Sequence, residues 1–217
     1  MTVPKLRERA NVHDHLCLIY RDQREELAAA ISFIKTGLEM NDQCIYVADD
    51  NSKHEVLAAM KKAGVQADEA VRRGQLIVCS KHESYLNQGQ FDPAYAIDFF
   101  KDAAARARAN GYRALRGSGE MSWQLSGDPG SDRLIEYEAN VNHLFRGHSI
   151  LALCQYNMER FSPADIRNAL YTHPKVIIGR RICKNPYYKP PREFLHHEQP
   201  GTDVRQMIGY IYGEAVS

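Results

Sequence analysis

Several things that would define a function at once are missing from this sequence. No stretch approaches the roughly 18 consecutive apolar residues of a membrane span, and the opening Met1-Thr-Val-Pro-Lys-Leu-Arg-Glu-Arg-Ala10 lacks the apolar core of a secretory signal. Charge of one sign is missing too. With 28 Lys and Arg against 27 Asp and Glu, the formal charge is +1 over 217 residues, so the average composition offers no polyelectrolyte attraction to nucleic acid. A cytoplasmic protein with no membrane contact and no direct nucleic-acid contact is the expectation. A phosphate cradle is also absent. Where GxxxxGK[ST] would follow the first apolar run, the chain reads Tyr20-Arg-Asp-Gln-Arg-Glu-Glu26, with no glycine or lysine and with acidic groups that repel phosphate. Gly117-Ser-Gly119 is not a dinucleotide fingerprint, because Ser122 occupies the third glycine position. Nucleotide hydrolysis and a Rossmann cofactor are therefore unsupported, and the sequence assigns no cofactor.

Cysteine is sparse and carries no pairing pattern. The five cysteines, an odd number, contain no CxxC pair and spell out no disulfide framework. Cys17, Cys44, Cys79, Cys154 and Cys183 each fall in or at the end of a short apolar run, the setting of a buried strand thiol acting as a small hydrophobe. Burial removes the electropositive, exposed surroundings that activate a thiol, so a Cys154–His nucleophile is not expected.

What is present is a rhythm. With 44% hydrophobic and 25% charged residues the composition is that of an ordinary globular protein, and short runs rich in Val, Ile, Leu and Tyr alternate with helical stripes. That is the pattern of a mostly parallel α/β sheet flanked by helices. Strands are predicted at 16–20, 43–48, 75–79, 113–116 and 150–156, with helices at 23–39, after Ser52, at 66–73, 93–109 and 132–145, and after Ser162-Pro163. Start signals are explicit: Ser52-Lys-His-Glu55 is a capping box, Asp92-Pro93 pairs an N-cap with a first-turn proline, and Ser131 is placed to cap the next helix. Gly37 and Asn41 punctuate the end of the first helix. Val176–Ile178 and Arg181–Cys183 read as a hairpin through Gly179-Arg180 at an edge of the sheet. Residues 1–12 form an arm, 13–195 one domain, and 196–217 a tail in which Val204, Ile208 and Ile211 mark a short helix.

In an open parallel sheet, ligands bind beyond the carboxyl ends of the strands. That rule selects Tyr20 and Arg21 at the end of the first strand, Asp49 and Asp50 at the end of the second, His82 and Tyr85 after the third, Arg116 to Trp123 after the fourth, and Gln155 and Tyr156 at the end of the fifth. Arg116-Gly-Ser-Gly-Glu-Met-Ser-Trp123 is the richest stretch, since two glycines let backbone approach a ligand while Arg, Glu and the sole Trp offer charge and an aromatic wall. His13-x-His15 would hold a metal if both rings faced one side of an extended segment. The spacing is common and no paired Cys or Glu signature accompanies it, so no metal site is assigned, with His13 and His15 as the weak candidates.

The order of Asp14-His-Leu-Cys-Leu-Ile-Tyr20, Cys44-Ile-Tyr-Val, Tyr85-Leu with Phe91-Asp-Pro93, Gly119-Glu-Met-Ser-Trp123, Glu136-Tyr-Glu138, Leu153-Cys-Gln-Tyr156, Thr172-His-Pro174 and Asn185-Pro-Tyr-Tyr188 over about residues 10–195 resembles the MEDS domain, named for methanogen, methylotroph and DcmR sensory proteins. The resemblance implies a RecA-like sheet without a Walker A phosphate loop and a sensory domain for small hydrocarbon-derived ligands, often placed ahead of a histidine kinase or a DNA-binding module. Carried onto this sequence, it points to Trp123, Met121, Tyr85 and Tyr156 as apolar walls and Arg116, Glu120, His15 and Gln155 as orienting polar groups, with Tyr20 beside them; His15 stands apart, at the start of its strand. His13 departs from the family, which usually has glycine there. No kinase or helix-turn-helix region follows within the 217 residues, so the output is expected to pass in trans to a kinase or transcriptional regulator, unless the chain is a fragment of a longer sensor.

The expected function is thus a small-molecule sensor that changes partner affinity when occupied, as a homodimer. The alternatives are an enzyme on the same scaffold using Glu120 or a histidine as base, and an interaction module docking through the terminal helix and the basic stretch 180–192.

Overall fold

The apolar runs become strands and the helical stripes cover the two sides of the sheet that they build. The computed structural model describes residues 10–86, 89–179 and 181–196. Along the chain it contains β1 (His15–Tyr20), α1 (Gln23–Glu39), β2 (Gln43–Ala48), α2 (Lys53–Lys62), α3 (Ala67–Arg72), β3 (Leu76–Ser80), α4 (Pro93–Ala109), β4 (Leu115–Glu120), α5 (Leu134–Gly147), β5 (Ile150–Asn157), α6 (Pro163–Thr172), β6 (Lys175–Ile178), β7 (Arg181–Lys184) and α7 (Pro191–His196). The seven strands lie in the order β3-β2-β4-β5-β1-β6-β7. All neighbours run parallel except β6 and β7, the antiparallel hairpin at one edge.

Strand alternation sorts the side chains between two cores. On one side Leu16, Leu18, Tyr20, Cys44, Tyr46, Leu151 and Leu153 pack with Phe33 and Ile34 of α1 and Val56 and Met60 of α2. On the other, Cys17, Ile45, Val47, Cys154 and Tyr156 pack with Phe100 of α4, and Tyr137 and Val141 of α5. The helix starts follow their caps: Ser52 and Glu55 close a capping box at α2 and Ser162 and Asp165 one at α6, while Asp92 accepts from the Ala94 N–H at α4.

Four local expectations change. β4 runs over Leu115–Glu120 rather than 113–116, so Gly117 and Gly119 lie inside a central strand. They make room for aromatic packing, since a Cβ on Gly119 would stand 2.7 Å from the Tyr85 hydroxyl and 2.8 Å from Met121 Cε. Gly37 lies within α1, where a Cβ would collide with the Arg116 side chain. Ser131 does not cap α5: a 3-10 turn over Ser131–Arg133 intervenes, led by Gly130 at φ +81°. Cys183 is exposed on the edge strand, unlike the other cysteines. The predicted terminal helix over 204–211 and the arm over 1–9 lie outside the described residues. Among those described, no helix is long and apolar enough to cross a membrane.

Candidate functional site

The nine residues carried onto the site by the resemblance are all buried, whereas of the other strand-end candidates Asp49 is half-buried and Asp50 and His82 are exposed. The sheet divides the buried nine. Arg116, Glu120, Gln155 and Tyr20 point to the α1 side. His15 and Tyr156 point to the α5 side, where Tyr85, Met121 and Trp123 also lie.

Arg116 is not beyond the end of its strand. It sits near the start of β4, fully buried, with Nε donating to Asp42 Oδ2 at 2.9 Å and the guanidinium 4.6 Å from the Phe33 ring centroid. Arg113 donates to the same carboxylate at 2.8 Å. These contacts tie the β4 and β2 starts to α1, far along the strand from Glu120.

Glu120 ends β4 among donors. Its Oε1 accepts from Tyr46 OH at 2.8 Å and Asn51 Nδ2 at 2.9 Å, and its Oε2 from the backbone N–H groups of Asp49 at 2.8 Å and Asn51 at 3.0 Å. Burial raises its carboxyl above the ordinary 4.5 against the pull of these hydrogen bonds. The same Asn51 amide donates to Glu26 Oε2 at 3.0 Å, and burial together with the Glu120 charge pushes Glu26 up to about 7. Gln155 donates to Ser118 Oγ at 3.1 Å and Tyr20 stands in the same cluster, its hydroxyl raised by burial and by Glu26. The loop from β2 to α2 is thereby fastened to β4, with every acceptor position of Glu120 filled from within the chain.

The other side of the sheet holds a different cluster. His15, Glu138, Cys154 and His173 offer one ligand atom each, all within 4.8 Å of one another and all buried. His15 Nε2 lies 3.1 Å from Glu138 Oε2 and 3.5 Å from Cys154 Sγ; Cys154 Sγ and His173 Nε2 are each 3.5 Å from the same Oε2. Glu138 Oε1 accepts from Tyr156 OH at 2.6 Å. Burial works to raise the Glu138 carboxyl, but His173, His15 and Tyr156 outweigh it and hold it at about 2. Burial and then His15 push His173 down to about 3, keeping it neutral. The Cys154 thiol is driven well up, first by burial and then by Glu138. His13 does not join them. Its Nδ1 meets the Phe145 carbonyl and its backbone is at φ +77°, the left-handed conformation that glycine adopts without cost.

Between this cluster and α4 lies a cavity of about 20 Å³, lined by His15, Tyr85, Phe100, Tyr137, Phe145 and Cys154 with the β4 glycines and Ala152. Tyr85 stacks on Trp123 with ring centroids 5.4 Å apart, and Phe91 packs against Trp123 at 4.7 Å. Of the expected walls, Tyr85 borders the cavity directly, Trp123 backs it, and Met121 closes on Gly119. The lining is mostly aromatic and aliphatic, with His15, Cys154 and the two tyrosines as its polar side chains.

Sequence reasoning missed Glu138, His173 and Asn142. Glu138 and His173 stand in stretches that carried the family resemblance, but they are separated from His15 by 123 and 158 positions, so no local spacing joins them. The legible signal was the pairing of β1 with β5, whose alternation puts His15 and Cys154 on one face.

A family model described as MEDS, the MEthanogen/methylotroph, DcmR Sensory domain, matches residues 14–174. The transcriptional repressor DcmR of Methylorubrum extorquens (strain DSM 6343 / CIP 106787 / DM4) is 29% identical over 163 residues, which are 74% of this chain and 58% of the repressor. Among solved structures, the KaiC-like protein PH0186 of Pyrococcus horikoshii OT3 matches with a TM-score of 0.57 at 13% identity, over 76% of this chain and 71% of that one. The flagellar accessory protein FlaH of Methanocaldococcus jannaschii matches at 0.53 and 11% identity, over 79% and 71%. At such identities the likeness is one of fold, and it is the RecA-like sheet the resemblance implied. With the family model covering most of the chain, from the first strand through the histidine that follows α6, the protein belongs to the MEDS sensory-domain family.

Proposed function

We propose that the domain senses a small, largely apolar organic molecule in the cavity between β4, β5 and helices α4 and α5, and passes its state to a transcriptional regulator or histidine kinase in trans, as a cytoplasmic homodimer. The observation that carries this reading is the cavity itself: aromatic and aliphatic walls surround a few polar groups, His15, Cys154 and two tyrosines, which is how small-ligand sites combine apolar contact with a few orienting groups. At about 20 Å³ it has room for roughly one water-sized molecule. A larger guest must push Tyr85 of the β3–α4 loop, Phe100 of α4 or Tyr137 of α5 outward, and moving the last two displaces the helices that carry them. Occupancy then favours one arrangement of α4 and α5 over another, as any signal by population shift requires. The sensory family and the name of the repressor relative support a regulatory output.

The single tryptophan makes the test direct, because Trp123 stacks on Tyr85 of the cavity wall. Titration with short-chain alcohols, amines and halides is expected to give a saturable change in Trp123 fluorescence. Gly117→Ala, whose added methyl would lie 3.8 Å from Ala152 Cβ and from Phe100 and so fits without collision, is expected to weaken that binding about tenfold or more, the usual cost of a methyl in a tight apolar pocket. If no compound of these classes perturbs the fluorescence or the thermal midpoint, the sensor site lies elsewhere.

A further inference from the structure

Hydrogen-bond accounting in the α5-side cluster leaves acceptors facing acceptors. The Asn142 amide nitrogen donates to the carbonyls of Glu138 at 3.0 Å, Ala139 at 3.2 Å and Thr172 at 2.9 Å, which fixes Asn142 Oδ1 as an acceptor. His15 Nδ1, 3.2 Å from that oxygen, must therefore carry hydrogen. His173 Nδ1 lies 2.7 Å from the Ala169 carbonyl and must carry one as well. Both imidazoles then turn an Nε2 lone pair inward, toward the Glu138 oxygen that Tyr156 leaves free. His173 Nε2 is buried without a hydrogen-bond partner. A proton on His15 Nε2 would bridge to Glu138 and still leave His173 unmet, and the Cys154 thiol has only one proton to give.

We propose that His15, Glu138, Cys154 and His173 bind one divalent transition-metal ion of the zinc type, held tetrahedrally between β1, β5, α5 and the residue after α6. Three arguments converge. The distances are close to what a tetrahedral centre needs: metal bonds of about 2.0–2.3 Å separate the ligand atoms by roughly 3.3–3.7 Å, four of the six separations here are 3.1, 3.5, 3.5 and 3.5 Å, and all six lie within 4.8 Å. The charge fits: a dication with one thiolate, one carboxylate and two neutral imidazoles is neutral overall, the condition for sparing a buried ion its desolvation cost. The donor set selects against magnesium and calcium, which take oxygen ligands. Around it stands the outer shell such sites use: Asn142 and the Ala169 carbonyl orient the two rings and Tyr156 orients the carboxylate. On binding, the Cys154 thiol gives up its proton to solvent and its sulfur takes the metal. The inference stands whatever molecule the cavity admits, and it replaces the weak His13–His15 candidate with a site that keeps only His15.

The test is metal analysis of the tag-free full chain, followed by chelator treatment and reconstitution with cobalt(II) or zinc(II). One metal per chain is expected, with a sulfur-to-cobalt charge-transfer band in the near ultraviolet and the intense visible bands of tetrahedral cobalt. Cys154→Ser should abolish the charge-transfer band, while Cys17→Ala, on the neighbouring strand, and Cys183→Ser, on the exposed edge, should keep it. Should Cys154→Ser fail to fold, Tyr156→Phe removes only the outer hydrogen bond and is expected to lower zinc affinity about tenfold or more. A folded wild-type chain that takes up neither cobalt nor zinc stoichiometrically, a band that follows Cys183 or Cys17, or an unchanged affinity in Tyr156→Phe would overturn the assignment.

Discussion

The two sides of the central sheet each bury a glutamate, and the two are opposites. Glu120 on the α1 side meets donors only, two of them backbone N–H groups. Glu138 on the α5 side has one oxygen satisfied by Tyr156 and the other surrounded by two histidine Nε2 atoms and a thiol. A fully satisfied buried carboxylate is a fastening, because nothing is left over for a ligand to meet. A buried cluster with surplus lone pairs calls for a cation. Residue type alone would have ranked the two alike.

The strongest way to break this comparison is to make the same substitution on both sides. Glu120→Gln places an amide nitrogen against donors in either orientation, Asn51 Nδ2 on one side and the loop N–H groups on the other. Urea unfolding is expected to show a loss of roughly 3 kcal/mol, the cost of one or two unsatisfied buried donors and of charge-assisted bonds made neutral. Glu138→Gln in metal-free protein keeps an oxygen for Tyr156 and turns its nitrogen toward the histidine lone pairs, so the loss should be smaller than at Glu120 while stabilisation by added zinc disappears. Equal losses at the two positions would contradict the distinction.

A second contrast is one of pH. Glu26, beside Glu120, is raised by burial and by that neighbour's charge from 4.5 to about 7. Between these values the unfolded chain releases the proton that the folded chain keeps, so this group's contribution to stability is full below about 4.5, falls as pH rises, and levels off above about 7. Glu26→Gln should remove that component, making stability at pH 8 relative to pH 4.5 higher than in wild type. The same slope in both proteins would assign the titration to another group.

The smallest effects separate the two glycines of β4. Gly119→Ala drives a methyl against Tyr85 and Met121 and is expected to cost about 1–3 kcal/mol by thermal or urea unfolding. Gly117→Ala, with nothing nearer than 3.8 Å to the added atom, should stay within about 0.5 kcal/mol. If the order were reversed, the aromatic wall would not rest on Gly119 as described.

How far the site was legible follows from the range of each signal. His15 was selected as a residue and Cys154 as a buried strand thiol, since both belong to strands that periodicity reveals. Their partners were hidden, because Glu138, although it falls on the stripe of α5 between Leu134 and Val141, gives no sign of what it faces, and His173 follows the end of α6 where no periodicity marks it as inward-facing. Arg116 was misplaced for a related reason: glycines that usually end a strand here continue it, so Arg116 before them faces an ion pair with Asp42 and the Phe33 ring of α1, and Ser118 between them accepts from Gln155 of β5.

The sequence by itself determined the alternation of strands and helices, most helix starts, the edge hairpin and the absence of a phosphate loop, because caps, periodicity and turn chemistry act over a few residues. Tertiary structure alone decided which face of the sheet each polar residue serves, and it brought four ligand-type atoms from positions 15, 138, 154 and 173 within 4.8 Å. Such a meeting depends on strand order and helix docking, which arise from burying a shared core rather than from any spacing along the chain.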